Sequence, residues 1–598
     1  MAMTEDWGTA SGNAVTTFRV WAPNATTVGV QEFDASGAVT RETSMDRSDP
    51  GYWQVDVAGA TPGTEYLFSI SGPAGTQDRI DPYAREVTSS VGHAVVYDEA
   101  AFAWSADSFG SRGWDELIVY ELHVGTFDPA GNGHVGTLSE AATRLGYLYD
   151  LGVTAVELLP LAEFQGDQSW GYNPAVPFAV ERAYGGPDGL KAFVDAAHGH
   201  GIAVILDVVY NHFGPSDLDH SLWRFDGWDQ NNGGGIYFYQ DWRSESGWGP
   251  RPDYGRPQVR QYIRENVIDW LGQYRLDGLR FDATASIDSA DGSGTEAGGI
   301  PDGRQLLREC NDAVDASQPW KIRIAEDMRN DETITAPTSA GGVGFPAQWD
   351  PDFVTSVRTA MVATDDTQRS MSSIAAAIER RYGDRWLSRV VFTESHDSDA
   401  NGHERLPSEI DPATPDSWYA KKRSTLGAAV VFTSPGIPML FQGQEFLEDL
   451  WFTDSQPVDW TNQTTHAGIL ALYRDLIALR RDLSGNTRGL RGSGLEVHHV
   501  NDVDKVLAYH RWDHGGPRDD TIVLLNCANR GYTNYTIGLP REGTWQVRLN
   551  SDWSGYDPTF GNAATYPLTT DTEPRDGMPV SGTLGIGPYT AVILSQDD

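Results

Sequence analysis

Between Leu117 and Phe441 the chain alternates short apolar runs with longer stretches of helical period. Leu117-Ile118-Val119-Tyr120-Glu121-Leu122 and Ala155-Val156-Glu157-Leu158-Leu159-Pro160 are almost continuously apolar, as is Ala203-Val204-Ile205-Leu206-Asp207-Val208-Val209. Runs of that length without polar alternation suit strands buried on both faces. Leu279 to Asp282, Ile322 to Glu326, Arg389 to Thr393 and Ile437 to Phe441 continue the series. Between them, Gly189 to His198 reads as a helix closed by Gly199 and Gly201. Val259, Ile263, Val267, Trp270 and Leu271 keep the helical period behind Pro257, a residue suited to a first helical turn. Strand–helix alternation from about Trp114 to Leu483 predicts a parallel α/β architecture, and a (β/α)8 TIM barrel in particular. Two segments interrupt it: 213–255, rich in Trp, Gly and Asp, and 286–303, rich in Gly, Ser and Asp. Each follows a strand end, so each is expected as a long loop on the face where barrel active sites form.

On both sides of this region the period shortens to two. Thr17 to Trp21, Tyr52 to Val57 and Glu65 to Phe68 alternate large and polar residues between Pro-, Gly- and Asn-containing turns. Val506 to His510, Thr521 to Leu525 and Thr590 to Leu594 do the same near the other end. The expected organisation is an N-terminal β-sandwich over 1–105, the barrel over 106–485 and a C-terminal β-sandwich over 486–598.

Charge narrows the function. Asp and Glu number 84 against 44 Lys and Arg, a net charge of −40. That surface repels polyanions, which argues against nucleic acid or an anionic membrane as partner. Most of the excess is expected as solvated surface charge. Cys310 and Cys527 lie too far apart in sequence for a disulfide framework or a Cys-based metal cluster. No apolar run approaches the ~20 residues of a membrane span. Met1-Ala2-Met3-Thr4-Glu5-Asp6 lacks a basic start and an apolar core, so a cytoplasmic protein is expected. The sequons at Asn24, Asn462 and Asn534 matter only in an exported chain. Oligomeric state stays open.

The candidate chemistry sits at the strand ends. Asp207 lies in the third apolar run, Asp282 ends Leu279-Arg280-Phe281, Glu326 ends Ile322-Arg323-Ile324-Ala325, and Asp397 follows Thr393-Glu394-Ser395-His396. Carboxylates there face the barrel mouth. Several of them converging with His and Arg suit glycosidic bond cleavage, where one acid attacks the anomeric carbon and another protonates the departing oxygen. The 20 Trp and 24 Tyr point to aromatic platforms of the kind that stack sugar rings or pack sheets. His198 and His200 have the spacing of a metal pair but flank Gly199 at a helix end, where capping is expected. Neither a Gly-rich phosphate loop nor a G-x-S-x-G elbow occurs.

The segments Asp207-Val208-Val209-Tyr210-Asn211-His212, Gly278-Leu279-Arg280-Phe281-Asp282-Ala283, Ile324-Ala325-Glu326-Asp327 and Glu394-Ser395-His396-Asp397 resemble, in order, the four signature regions of the α-amylase family of glycoside hydrolases. The resemblance implies a retaining α-glucan enzyme with Asp282 as nucleophile, Glu326 as general acid and then base, and Asp397 stabilising the transition state. It further implies that Arg280 holds Asp282 ionised, that His212 and His396 hydrogen-bond the sugar, and that Tyr172 stacks on it beside Asp207. No cofactor is implied; calcium at Asn211, a ligand in some members, is the less favoured alternative. Val20-Trp21-Ala22-Pro23-Asn24-Ala25 is similar to the sandwich that precedes the barrel in glycogen branching enzymes and trehalose-releasing hydrolases. Tyr210 to Pro215, Ala325 to Asn330 and Phe441 to Glu445 resemble the hydrolases that act on maltooligosyl trehalose, whereas their last region usually has Asn before His-Asp and here reads Glu394-Ser395-His396-Asp397-Ser398-Asp399. Cleavage of α-1,4 bonds in starch, glycogen or maltooligosaccharides, by hydrolysis or by transfer that makes α-1,6 links, is the first expectation. Release of trehalose and a catalytically inactive glucan-binding barrel are the alternatives.

Overall fold

The computed structural model describes residues 10–12, 15–48, 51–105, 109–110, 112–131, 133–295 and 298–597. Met1 to Asp6, read above for a leader, lie outside the described residues. A closed eight-stranded parallel barrel forms the centre: β1 (Val119–Leu122), β2 (Ala155–Leu158), β3 (Ala203–Val208), β4 (Gly278–Phe281), β5 (Ile322–Ala325), β6 (Ala347–Trp349), β7 (Arg389–Val391) and β8 (Ile437–Phe441). Every residue of these strands is buried, because helices cover the outside and side chains fill the lumen. Val119, Ala203, Ile205, Ile324, Trp349 and Met439 belong to the inner cluster. Tyr120, Val204, Leu206, Leu279 and Phe281 belong to the outer cluster under the helices. Strand alternation thus divides each run into an inner and an outer set.

β6 escaped the sequence reading: it is three residues long and follows the Gly-rich stretch Gly341-Gly342-Val343-Gly344. So did the antiparallel pair Ala162–Phe164 and Pro174–Val180 between β2 and the next helix, where two prolines mask the strand signal. The predicted helices are Gly186–Gly199 and Pro257–Gly272. The 286–303 loop is shorter than expected. Thr284–Asp288 is a helical turn and Pro301 starts the helix Pro301–Ser317.

The N-terminal domain packs a four-stranded sheet against a five-stranded one around Phe18, Val20, Val30, Phe68 and Ile70. It also braces the long 213–255 loop. Asn24 donates from its backbone N and its Nδ2 to Asp226 Oδ2 at 2.8 and 2.9 Å, and Trp21 meets Tyr237 edge-on. The C-terminal domain is all β, a six-stranded sheet and a two-stranded one closed around Ile522, Leu524, Ile537, Trp545 and Leu594. Among the described residues no helix is long and apolar enough to cross a membrane.

Candidate active site

Strand register places the acids. Asp207 in β3 pairs with Arg280 in β4, and Phe281 pairs with Ala325 in β5. The next residues, Asp282 and Glu326, therefore leave the barrel side by side at the same height. The ladder continues beneath them, with Asp282 N donating to Val208 O and Glu326 N to Phe281 O at 3.0 Å each. Ala283 then turns into the left-handed region at φ 39°, a strained conformation for a residue with a Cβ. That turn aims its N–H at Glu326 Oε2, 2.6 Å away.

Arg280 is the hub. Its Nη1 lies 2.5 Å from Asp207 Oδ2 and 2.9 Å from Asp282 Oδ1, and its Nη2 lies 3.5 Å from Glu326 Oε2. Its guanidinium also covers the Trp349 ring at 4.3 Å. The charge has no access to solvent and is balanced entirely by these acids. Removing it leaves several buried carboxylates without a counter-ion. Arg280→Leu is accordingly expected to lose about 3–5 kcal/mol of folding stability, read as a lower denaturant midpoint. An unchanged midpoint would show that the cluster is not held together this way.

Of the residues expected from sequence, Tyr172, His212, Asp282, Glu326, His396 and Asp397 line one mouth, and Asp207 and Arg280 lie buried behind it. Asn211 Nδ2 donates to Asp282 Oδ2 at 2.6 Å and so orients the carboxylate. Tyr172 donates its hydroxyl to Asp207 Oδ2 at 2.5 Å, and its ring stacks on His396 at 5.0 Å. Gly171 makes that placement feasible: it has φ 93°, and a Cβ there would meet Pro160 O at 2.2 Å. His212 has protein partners at both ring nitrogens, Tyr172 O at 2.7 Å from Nε2 and Asn211 Oδ1 at Nδ1. It therefore braces the wall as well as lining the cavity. His396 meets Glu121 through Nδ1 at 2.7 Å, with Nε2 3.5 Å from Asp397 Oδ1. Asp397 is half exposed at the rim.

Electrostatics separates the acids. Burial pushes the Glu326 carboxyl up to about 8; Arg280 opposes this, while Asp282 and Asp397 add to it. Burial likewise raises Asp207 to about 7 against the pull of Arg280. For His396 burial acts downward, but the carboxylates of Asp397 and Glu121 outweigh it and lift the imidazole to about 10. A protonated acid, an Arg-paired carboxylate and an imidazolium thus share one wall.

Sequence reading missed several neighbours. Glu121 and Glu157 project into the barrel among the inner apolar residues, and burial raises Glu157 to about 8. Their signal was an acid inside an otherwise apolar strand. Trp170, Asn173 and Trp248 also line the mouth, a cavity of about 620 Å³ shared with Tyr172, His212, Asp282, Glu326, His396 and Asp397. Trp248 comes from the Trp-rich loop and is 58% exposed. A second cavity of about 830 Å³ adjoins the first. Met328, Trp349, Val354, Thr355, Arg358 and Phe392 line it, and Asp397 stands in the walls of both cavities. His198 pairs with Asp277 at 2.8 Å in the last helical turn, and His200 follows as the helix cap. Among the described residues no group of three or more His, Cys, Asp or Glu is arranged to hold a metal ion.

The chain matches the alpha amylase catalytic domain over residues 121–475, carbohydrate-binding module 48 (isoamylase N-terminal domain) over 6–84, and the alpha amylase C-terminal all-beta domain over 497–597. It is 30% identical to the 1,4-alpha-glucan branching enzyme GlgB of Photobacterium profundum, covering 97% of this chain and 82% of that protein. Identity to the GlgB of Rhodospirillum rubrum is 31%, over 98% of this chain and 81% of that one. Similar solved structures include a pullulanase from Anoxybacillus sp. LM18-11 complexed with maltotetraose, at a TM-score of 0.76 and 23% identity, covering 100% of this chain and 88% of that chain. Pullulanase type I from Bacillus subtilis str. 168, complexed with maltose, aligns at 0.75 and 22%, covering 100% and 86%.

Proposed function

Because the chain belongs to the α-amylase family, whose catalytic domain it matches over 121–475, we propose that it is a glucan-branching transglycosylase. It cleaves an α-1,4 bond and joins the cut chain to a 6-hydroxyl on a second glucan. Glu326, protonated at neutral pH, gives its proton to the departing glycosidic oxygen while Asp282 attacks the anomeric carbon and forms a β-glycosyl ester. The acceptor hydroxyl then attacks that carbon from the opposite face. Glu326, now a carboxylate, takes the acceptor's proton, and the ester bond to Asp282 breaks with the α configuration restored. Asp397 and the His396 imidazolium hold ring hydroxyls as the oxocarbenium-like charge develops.

The observation that carries transfer over simple hydrolysis is the pair of cavities that share Asp397 in their walls. A hydrolase needs room for one chain and a water; a transferase must hold two chains at the same carbon. The second cavity has apolar walls in Val354, Trp349 and Phe392, with Thr355 and Arg358 beside them, a surface suited to an acceptor glucan. The GlgB relatives, named for the branching reaction, support the same reading.

The test is the product from amylose. New α-1,6 signals in the proton NMR spectrum, with debranching enzyme releasing linear side chains, are expected. Linear maltooligosaccharides alone would make the protein a hydrolase, and free trehalose from maltooligosyl trehalose would make it a trehalose-releasing one. Thr355→Trp, which fills the second cavity from an exposed helical position, is expected to lower the ratio of branch points to reducing ends by about tenfold. An unchanged ratio would place the acceptor elsewhere.

A further inference from the structure

The C-terminal domain has its own cleft of about 430 Å³, between the strand Thr544–Asn550 and the segment 553–566. Two large aromatic side chains stand in it largely in water: Trp553 is 51% exposed and Tyr566 is 72% exposed. Two exposed rings lining one cleft offer an apolar surface that a ligand can cover.

The Trp553 ring is fixed in place. It meets Tyr556 edge-on at 5.0 Å and lies so close over Gly555 that a Cβ there would come within 2.5 Å of ring atoms. Tyr556 is fastened in turn by its hydroxyl, which donates to Asp475 Oδ2 at 2.5 Å. A flat ring pinned from behind loses little entropy when something stacks on it. The polar lining is effectively neutral. Asn562 presents an exposed amide, Asn550 and Thr565 bond to each other and to Ala563 O and Gly585 O and so hold the wall in shape, and Arg548 is countered by Asp597 at 2.5 Å. Aromatic faces beside the Asn562 amide fit a pyranose ring, which offers C–H bonds on its faces and hydroxyls at its edge.

The cleft also lies on the right side of the molecule. Its loop is tied to the barrel by Lys422 Nζ to Asp552 Oδ1 at 2.8 Å and Lys421 Nζ to Asp557 Oδ2 at 3.0 Å. Both lysines belong to the first turns of the helix Trp418–Thr433. Tyr556 packs on Gly468, at the start of the helix Ala467–Arg480. Helices of a (β/α)8 barrel begin on the face where the strands end, the face that carries Asp282 and Glu326.

We propose that the Trp553–Tyr566 cleft is a second α-glucan-binding site that holds a remote stretch of a long substrate chain. The inference rests on the reading that glucans are the substrate. Tethering raises the local concentration of chain at the mouth without touching the chemistry. Trp553→Ala/Tyr566→Ala is therefore expected to raise KM for amylose by about tenfold while leaving kcat and KM for maltoheptaose unchanged. In an Asp282→Asn background, which blocks turnover, titration with β-cyclodextrin should show one binding site fewer when both rings are removed. Trp553→Tyr, which keeps a platform, should restore the lost site. An unchanged number of sites, or equal KM changes for amylose and maltoheptaose, overturns the proposal and leaves the catalytic reading standing. No glucan binding anywhere, together with no turnover of maltoheptaose, would remove the catalytic reading itself.

Discussion

Asp282→Asn yields a folded protein that binds maltoheptaose and turns it over at least ~10⁴-fold more slowly. The expectation follows from where the carboxylate stands. Its oxygens are committed to Arg280 Nη1 at 2.9 Å and Asn211 Nδ2 at 2.6 Å, which hold it rigidly at the strand end. An amide of the same shape keeps the packing but has no charge with which to attack the anomeric carbon. Binding survives because Tyr172, Trp170 and Trp248, which form much of the cavity wall, are untouched. Single-turnover kinetics beside a binding isotherm checks both halves. Residual turnover within about tenfold of the parent would mean that another group is the nucleophile.

Glu326→Gln loses about 10²–10⁴-fold on unactivated glucans, and the loss depends on the leaving group. Fluoride departs from maltosyl fluoride without a proton, so the first step with that substrate is expected to be nearly unaffected. The same residue sets the alkaline side of the pH profile. The protonated form is the active one, and burial raises its pKa to about 8. Activity is therefore retained below that value and lost as the pH rises through it, a limb well above the ordinary glutamate range. In Glu326→Gln the limb should vanish. Its survival in the variant would assign it to a different group.

Strand composition made most of the frame legible: parallel barrel strands are buried on both faces, so most appear as largely apolar runs broken by at most one charged residue. β6 was not legible because Ala347–Trp349 is too short for any period to show. At the site, the acids that end strands could be found because they break apolar runs at their edge. Glu121 and Glu157 could not be told from tolerated polar residues, since only the closed barrel brings them toward Arg280 and His396. The brace from Asn211 to Asp282 depends on the register between β3 and β4, which sequence does not contain. Trp248 reaches the mouth from a long loop supported by another domain through Asn24 and Asp226. Local pattern carries no information on such contacts.

Double displacement through Asp282 is the central claim, and trapping its intermediate tests it most directly. Glu326→Gln incubated with maltosyl fluoride forms the ester but lacks the base that resolves it. Mass spectrometry of the digested protein is predicted to find one maltosyl unit on the peptide that contains Asp282. A maltosyl unit on any other residue, or turnover with no adduct and inverted product, would contradict the account.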